Sequence, residues 1–326
     1  MNMHMRMPRI LLAIALFALC AMGAWAQAFP VKPVRIVIGF PAGGPLDQHA
    51  RLLSDRLQAH LGQPVIIDYK AGAGGTVGAQ EVMKAPADGH TLMLANTGVM
   101  VINPALYSKL PYQTLRDFVP VARTAMQPLA FLVNPKVPVN TLPEFIEYVR
   151  ARPGQVNYGS AGNGGSSHLV PEMLKSASGI FMVHIPYRGS APAFTDLMAG
   201  QVQFMAESIP QAAQYHKQGK VRALAVTSRE RNPALPDVPT AIESGVKNFE
   251  VVGFYGFLAP AGTPKEAIGK LSEAFKAVLN QPDIRSRMVA QGADPAFLGA
   301  EDFARYLQTE MPRWAEVVKK SGARLD

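Results

Sequence analysis

The chain has 326 residues, enough for two domains with proper cores. Its formal charge is +8, yet the lysines and arginines are scattered without a run, which argues against a nucleic-acid partner and leaves a mild attraction for anionic solutes. The one cysteine, Cys20, lies in a leader-like stretch, so the chain beyond it has no disulfide and no cysteine metal site.

Residues 1–26 read as an export signal. Arg6 and Arg9 form a positive n-region, Ile10 to Met22 an apolar run, and Ala24-Trp25-Ala26 a small-residue cleavage site. The run is short for a spanning helix, which weighs against a retained anchor. Cleavage near Ala26 starts the mature chain at Gln27 and removes Arg6 and Arg9, taking the charge from +8 to +6. Phe17-Ala18-Leu19-Cys20 is a poor lipid-attachment signal, because a bulky leucine precedes the cysteine. No second hydrophobic stretch is long enough to span a bilayer, so a soluble, exported product is expected.

Val34-Arg35-Ile36-Val37-Ile38 predicts a strand, and Asp47 to Leu61 a helix with Asp47 as its cap and Gly62 at its end. Val65 to Tyr69 is the next strand. A glycine turn, Ala71 to Gly75, leads into a helix near Thr76 to Lys84, and Thr91 to Ala95 is a third strand. Alternating strands and helices imply a parallel sheet with right-handed crossovers, whose ligands sit at the carboxyl ends of the strands. Near residue 125 the pattern restarts. Leu129 to Val133 reads as a strand, and Thr141-Leu142-Pro143-Glu144 as a capping box opening a helix to Arg150. Val156 to Tyr158 precedes a second glycine turn, after which Ser166 or Ser167 caps a helix that carries Pro171 and stops at Gly179. Strands follow at 182–185, 202–205 and 223–227, with a helix from Ser190 to Gly200 between them. Thr263-Pro264-Lys265-Glu266 reads as another capping box, and Asp302 to about Lys319 as a last helix. One economical arrangement assigns 27–124 with 252–326 to one domain and 125–251 to the other. Two crossings then make a hinge around a cleft.

The two glycine turns carry the chemistry. Gly39-Phe40-Pro41-Ala42-Gly43-Gly44-Pro45-Leu46-Asp47 and Ser160-Ala161-Gly162-Asn163-Gly164-Gly165-Ser166-Ser167-His168 each precede a helix. A helix start presents unpaired N–H groups and positive dipole, so it holds a carboxylate without any arginine. Two such starts facing each other would clamp a small organic acid. A merely structural role for the first turn, and a flexible loop for the second, are the bland alternatives. A secreted serine hydrolase using Ser160 or Ser166 with His168 is the functional alternative, although Tyr158 stands where a nucleophile elbow needs glycine. Gly72 to Gly78 misspaces the dinucleotide fingerprint by one residue, no phosphate-loop lysine follows a glycine cluster, and no His/carboxylate spacing suggests a metal or other cofactor. His49, His90, His184 and His216 read as isolated packing or surface residues.

The chain resembles the substrate-binding receptors of tripartite tricarboxylate transporters, the Bug-type extracytoplasmic solute receptors. The resemblance is carried in order by Phe29–Val37, Gly39–Gly44, Lys70–Gly78, Asn103–Tyr107, Asn157–Leu169, His184-Ile185-Pro186-Tyr187-Arg188-Gly189, Arg222–Ser228, Leu235–Thr240 and Ala259–Pro264. It implies a two-domain α/β periplasmic binding fold of type II character, with two parallel or mixed sheets flanked by helices and a cleft that closes like a flytrap. It also implies a non-enzymatic, monomeric receptor for a small carboxylate that serves a membrane permease and sometimes a sensor protein. On this resemblance Phe40, Ala42, Gly43, Gly44 and Asp47 line one jaw and Ser160, Ala161, Gly162, Asn163, Ser166 and Ser167 the other, beside His168. Thr97, and Glu207 in the stretch after Met205, would meet the far end of the ligand. Two departures stand out: Glu207 where the family usually has aspartate, and Phe254 and Tyr255 where tryptophan is common.

Overall fold

A computed structural model describes residues 29–187 and 189–322. The export signal with Cys20, its cleavage site, and Arg188 lie outside the described residues.

In chain order, β1 (Val34–Ile38) leads into α1 (Pro45–Leu61), β2 (Val65–Tyr69), α2 (Thr76–Met83) and β3 (Thr91–Asn96). After a π-helical turn come the short helices α3 (Asn103–Leu106) and α4 (Thr114–Asp117), then β4 (Phe118–Val133), α5 (Leu142–Arg150) and β5 (Asn157–Ser160). Next are α6 (Ser166–Ser178), β6 (Val183–Pro186), α7 (Ser190–Ala199), β7 (Phe204–Ser208), α8 (Ile209–Lys217) and β8 (Arg222–Val226). The chain closes with β9 (Val252–Pro260), α9 (Lys265–Leu279), α10 (Pro282–Ala290), β10 (Asp294–Gly299) and α11 (Ala300–Ser321).

β1 pairs in parallel with β2 and β3, as the alternating pattern predicts. β9 joins β3 antiparallel, so the first sheet is mixed rather than purely parallel. The second sheet is mixed too: β5 is parallel to β6 and β7, while β7 and β8 lie antiparallel to β4. The strands follow one path, β2-β1-β3-β9-β4-β7-β5-β6, with β10 and β8 also on β4.

β4 is shared by the two sheets. Up to Pro128 it pairs with β9 and β10; from Leu129 it pairs with β7 and β8. Only its last five residues read as a strand in the sequence, because Pro120 and Pro128 are strand breakers by ordinary rules. Both stand where the ladder is already irregular. The register with β9 shifts between Pro120 and Ala122, and Pro128 ends the run paired with β9. At the passage, Leu129 N donates to Thr227 Oγ1 (2.9 Å) and Thr227 N donates to Leu129 O (2.9 Å).

Several helix starts differ from the sequence reading. α1 begins two residues early with Gly44 as its N-cap, and Asp47 sits inside the first turn. α6 is capped by Gly165, so Ser166 and Ser167 are its first two residues and cap nothing. The box at Thr263–Glu266 does not form: Pro264 is the cap, and Thr263 Oγ1 donates to Pro260 O (2.8 Å). The box at Thr141–Glu144 does form, Thr141 accepting from Glu144 N (3.3 Å). Gly62, Gly179 and Gly200 end their helices in the left-handed region, as predicted.

Hydrophobic packing runs on both sides of β4. Val121, Ala122 and Ala125 pack with α1 and α9, while Ala130 and Leu132 pack with α7 and α8. Phe131 lies between Phe204 and Phe249 at ring distances of 5.4 and 5.6 Å.

Gly39, Gly75 and Gly78 bring three backbone segments together. A Cβ on Gly39 would stand 2.6 Å from Gly75 O, and one on Gly78 would stand 2.7 Å from Gly39 Cα. The Gly72–Gly78 run is therefore a packing device that seats the end of β1 against α2, and the Phe40 ring lies against Gly75. Gly78→Ala is expected to destabilise the fold by about 1–3 kcal/mol in denaturant unfolding, as overpacking does. Gly269→Ala, in α9 with open space around it, is expected to stabilise by about 0.5–1 kcal/mol. Parental stability in Gly78→Ala would contradict the backbone contact.

Candidate functional site

Two adjoining cavities open where the sheets meet. The first, of about 260 Å³, is walled by Phe40 and Asn96–Gly98 from one side and Asn163–Ser166 from the other. The second, of about 450 Å³, is walled by Phe40, Ala42, Gly44, Asn96 and Tyr255. Phe40 and Asn96 belong to both.

Of the candidate residues, Phe40, Thr97, Asn163 and Ser166 line the first cavity, and Ala42 and Gly44 join Phe40 on the second. Gly43 and Asp47 stand behind the first turn and pin it. Asp47 Oδ2 accepts from Gly43 N (2.7 Å), and Oδ1 accepts from Tyr69 Oη (2.6 Å) and Arg51 Nε (2.8 Å). Burial works to raise the Asp47 carboxyl, but these donors and the Arg51 charge hold it below the ordinary range. With that pin in place, the N–H groups of Gly44, Leu46 and Asp47 at the start of α1 keep no hydrogen-bond partner among the described residues.

The second turn is pinned in a similar way. Ala161 N donates to Ser167 Oγ (3.0 Å), Gly162 N to Ser160 Oγ (3.2 Å), and Gly164 N to His168 Nδ1 (3.0 Å). These bonds fix the loop and consume three amides. The amides of Asn163, Gly165, Ser166 and Ser167 are left without a partner among the described residues. Ser160, Ala161, Gly162, Gly164, Ser167 and His168 thus form the frame of the turn, and Asn163, Gly165 and Ser166 its exposed rim. No charged side chain stands among the described residues lining the first cavity. Negative charge there would meet amide dipoles at the start of α6.

His184 supports this turn from below, which its isolated place in the sequence did not reveal. Its Nε2 lies 2.6 Å from Ser160 Oγ, and its ring stacks on His168 (3.8 Å, 8°) and on Tyr158 (4.8 Å, 21°). Burial, reinforced by His168 and Lys175, pushes the His184 imidazole down to about 3. Burial also lowers His168, against the pull of Glu172. Two stacked imidazoles this close are compatible with the neutral forms that these shifts favour. Neither Ser160 nor Ser166 has His168 as a hydrogen-bond partner; Ser160 is fully buried and its Oγ donates to Gly162 O (3.1 Å).

Glu207 is not among the residues lining either cavity. Its carboxylate accepts from Ser190 Oγ (2.6 Å) and Ser208 N (2.8 Å), and burial nonetheless pushes its carboxyl above the ordinary range. The rest of the first cavity's lining includes the apolar Leu129, Val170, Val251, Phe254 and Trp314 and the polar Asn103, Tyr107 and Gln127. Trp314 escaped the sequence reading because it lies on α11 in helical phase with Phe303, Leu307 and Val318, a pattern that signals core. Gln127 and Val251 flank the passages between sheets, where no periodicity marks them.

The second turn touches the first half of the molecule at one tight point. Gly164, with φ +77°, packs against Leu106 of α3, and any Cβ there would collide with that side chain. Among the described residues, no group of three His, Cys, Asp or Glu stands together, and no helix is long and apolar enough to cross a membrane.

The neutral histidines give the fold a defined acid sensitivity. Below the unfolded value near 6.5, an unfolded His184 binds a proton that the folded ring refuses until pH falls to about 3. Its contribution to stability is therefore complete above 6.5 and lost as pH falls through that window. The slope is up to about 1.4 kcal/mol per pH unit for one proton. His184→Gln is expected to flatten the stability–pH curve by about one proton between pH 6 and 4.5, measured by denaturant unfolding. Curves of equal slope would contradict a neutral, buried His184.

Comparison with known proteins agrees with this architecture. The family model described as "Tripartite tricarboxylate transporter family receptor" matches residues 49–323. Protein BugT of Bordetella pertussis is 34% identical over 325 residues, covering 98% of this chain and 100% of its own. Among solved structures, R. palustris Rpa4515 with adipate is similar at a TM-score of 0.80 and 34% identity, covering 91% of this chain and 100% of that one. MatC from Rhodopseudomonas palustris with bound malate is similar at a TM-score of 0.75 and 36% identity, covering 89% of this chain and 100% of that one. The fold is the two-domain α/β fold of periplasmic solute-binding proteins, and the chain belongs to the tripartite tricarboxylate transporter receptor family.

Proposed function

We propose that this protein is a periplasmic receptor that traps a small carboxylate and presents it to the membrane permease of a tripartite tricarboxylate-type transporter. The observation that carries the reading is the rim of Asn163, Gly165 and Ser166. It offers unpartnered amides at the start of a 13-residue helix to a cavity with no charged side chain among its described lining residues. An anion suits such a place, and a cation would be repelled by the same dipole. The relatives holding adipate and malate support a carboxylate as the ligand class.

On this reading, residues 1–26 direct export and are removed near Ala26, and the mature chain acts as a monomer in the periplasm. Residues 27–124 with 252–326 form one domain and 125–251 the other. The change of partners along β4 at Pro128 and Leu129 supports a crossing close to the first boundary. Closure brings Phe40, Ala42, Gly43, Gly44 and Thr97 toward Asn163, Ser166 and the frame of the second turn. A sensor protein is a further partner of the closed form. The hydrolase alternative finds no support in the geometry, since Ser160 is buried and the Nδ1 of His168 is occupied by Gly164 N.

Thermal shift of ligand-stripped protein against organic acids tests the reading. Ligand at about 100 times its dissociation constant should add roughly 2.7 kcal/mol of stability. No shift with any acid would contradict it. Gly164→Ala is expected to weaken binding ten-fold or more in calorimetry, because the Leu106 contact that accompanies closure cannot form. Unchanged affinity would place closure elsewhere.

A further inference from the structure

Granting the receptor reading, on which this rests, we infer that Asn96 selects the solute by a second oxygen, so that hydroxy and oxo acids are taken in preference to amino acids. Asn96 ends β3 and, with Phe40, borders both cavities. Phe40 is apolar, so the Asn96 carboxamide is the polar side chain common to the two. Its orientation is fixed by the chain. Val99 N donates to Asn96 Oδ1 (3.1 Å), and a backbone N–H requires the oxygen, not the nitrogen, at that point. A Cβ on Gly98 would stand 3.1 Å from the same oxygen. Nδ2 is therefore the outward atom. It has no hydrogen-bond partner among the described residues and is not sealed in the interior. The open space beside Asn96 is the two cavities.

An amide NH2 donates and does not accept, so it recognises an oxygen lone pair and opposes an ammonium. Its surroundings act in the same sense. The unpartnered amides of Gly44 and Leu46 at the start of α1 border the second cavity, and those of Asn163, Gly165 and Ser166 at the start of α6 border the first. Both helix starts repel a cation. No charged side chain stands among the described residues lining either cavity. Asp47, behind the first turn, already accepts from Gly43 N, Tyr69 Oη and Arg51 Nε and is paired with the Arg51 cation, so it is not free to hold an ammonium. Tyr107 Oη has no partner among the described residues and adds a donor to the first cavity, while Asn103 Nδ2 is spent on Gly74 O (3.1 Å) and Gln127 is hydrogen-bonded to Tyr255. The acceptors on offer there are neutral amide and hydroxyl oxygens. They replace part of an ammonium's water but bring no negative charge to it. A site built to donate to a solute oxygen discriminates strongly against an analogue that cannot accept.

Calorimetry on full-length mature protein, stripped of ligand by unfolding and refolding, reads the preference from matched pairs: lactate against alanine, malate against aspartate, 2-oxoglutarate against glutamate. In each pair that binds, the hydroxy or oxo acid is expected to bind at least about ten-fold more tightly. Asn96→Asp keeps an oxygen for Val99 N and replaces the outward donor by an acceptor, so it is expected to reverse the ratio in favour of the amino acid. Asn96→Ser can still accept from Val99 N but presents no outward NH2. It is expected to weaken the hydroxy or oxo acid about ten-fold and to leave the amino acid unchanged. An amino acid bound by the parent as tightly as its partner, a ratio unmoved by both substitutions, or binding confined to acids without a second oxygen group, such as hexanoate and benzoate, would overturn the inference while leaving the receptor reading intact. Binding of no acid at all would remove both.

Discussion

The shared strand is the constraint on which the rest of the molecule depends. β4 belongs to one sheet up to Pro128 and to the other from Leu129. Proline cannot donate to a ladder, so a strand that must exchange partners does so at little cost there. Thr227 then takes the Leu129 amide and donates back to its carbonyl. Gln127 and Leu129 on β4, and Gly253 and Phe254 on β9, line the first cavity within a residue or two of this passage. A hinge at this point would transmit small backbone rotations directly to the ligand.

A second regularity concerns how the two turns are held. Each is fixed by a side chain that accepts a backbone N–H: Asp47 from Gly43, His168 from Gly164. Fixing some amides leaves the neighbouring ones oriented and free, which is what preorganised anion recognition requires. The pins differ in charge. Asp47 is kept ionised by Tyr69, Gly43 and Arg51 in spite of its burial, whereas His168 is kept neutral by its burial against His184. The second turn therefore presents its amide dipoles free of a competing fixed anion, and it is the turn whose rim lines the cavity without charged side chains.

Much of the architecture was legible in the sequence, because short β-branched runs and leucine-spaced helices have strong periods. β1 to β3, α1 and the Thr141 box lie close to where those signals put them. The two glycine turns were legible as special backbone, and Phe40, Thr97, Asn163 and Ser166 do reach the first cavity. The first eleven residues of β4 were not legible, since Pro120 and Pro128 mask a strand whose irregular ladder accommodates them. Ser166 and Ser167 looked like caps because serine usually is one, yet Gly165 takes the position and frees their amides. His184 and Trp314 were invisible as site components for a different reason. One reaches Ser160 from 24 residues away and stacks on His168, and the other sits in an ordinary helical core pattern that happens to border a cavity. Long-range contact of that kind leaves no local mark.

We propose that oriented amides, and no cationic side chain, hold the ligand's acid group. A high-resolution crystal structure of the protein with its carboxylate bound tests this most directly. The account predicts carboxylate oxygens within hydrogen-bonding distance of the Gly165, Ser166 or Ser167 amides, directly or through one water. A carboxylate gripped by a lysine ammonium or an arginine guanidinium, away from the start of α6, would contradict it.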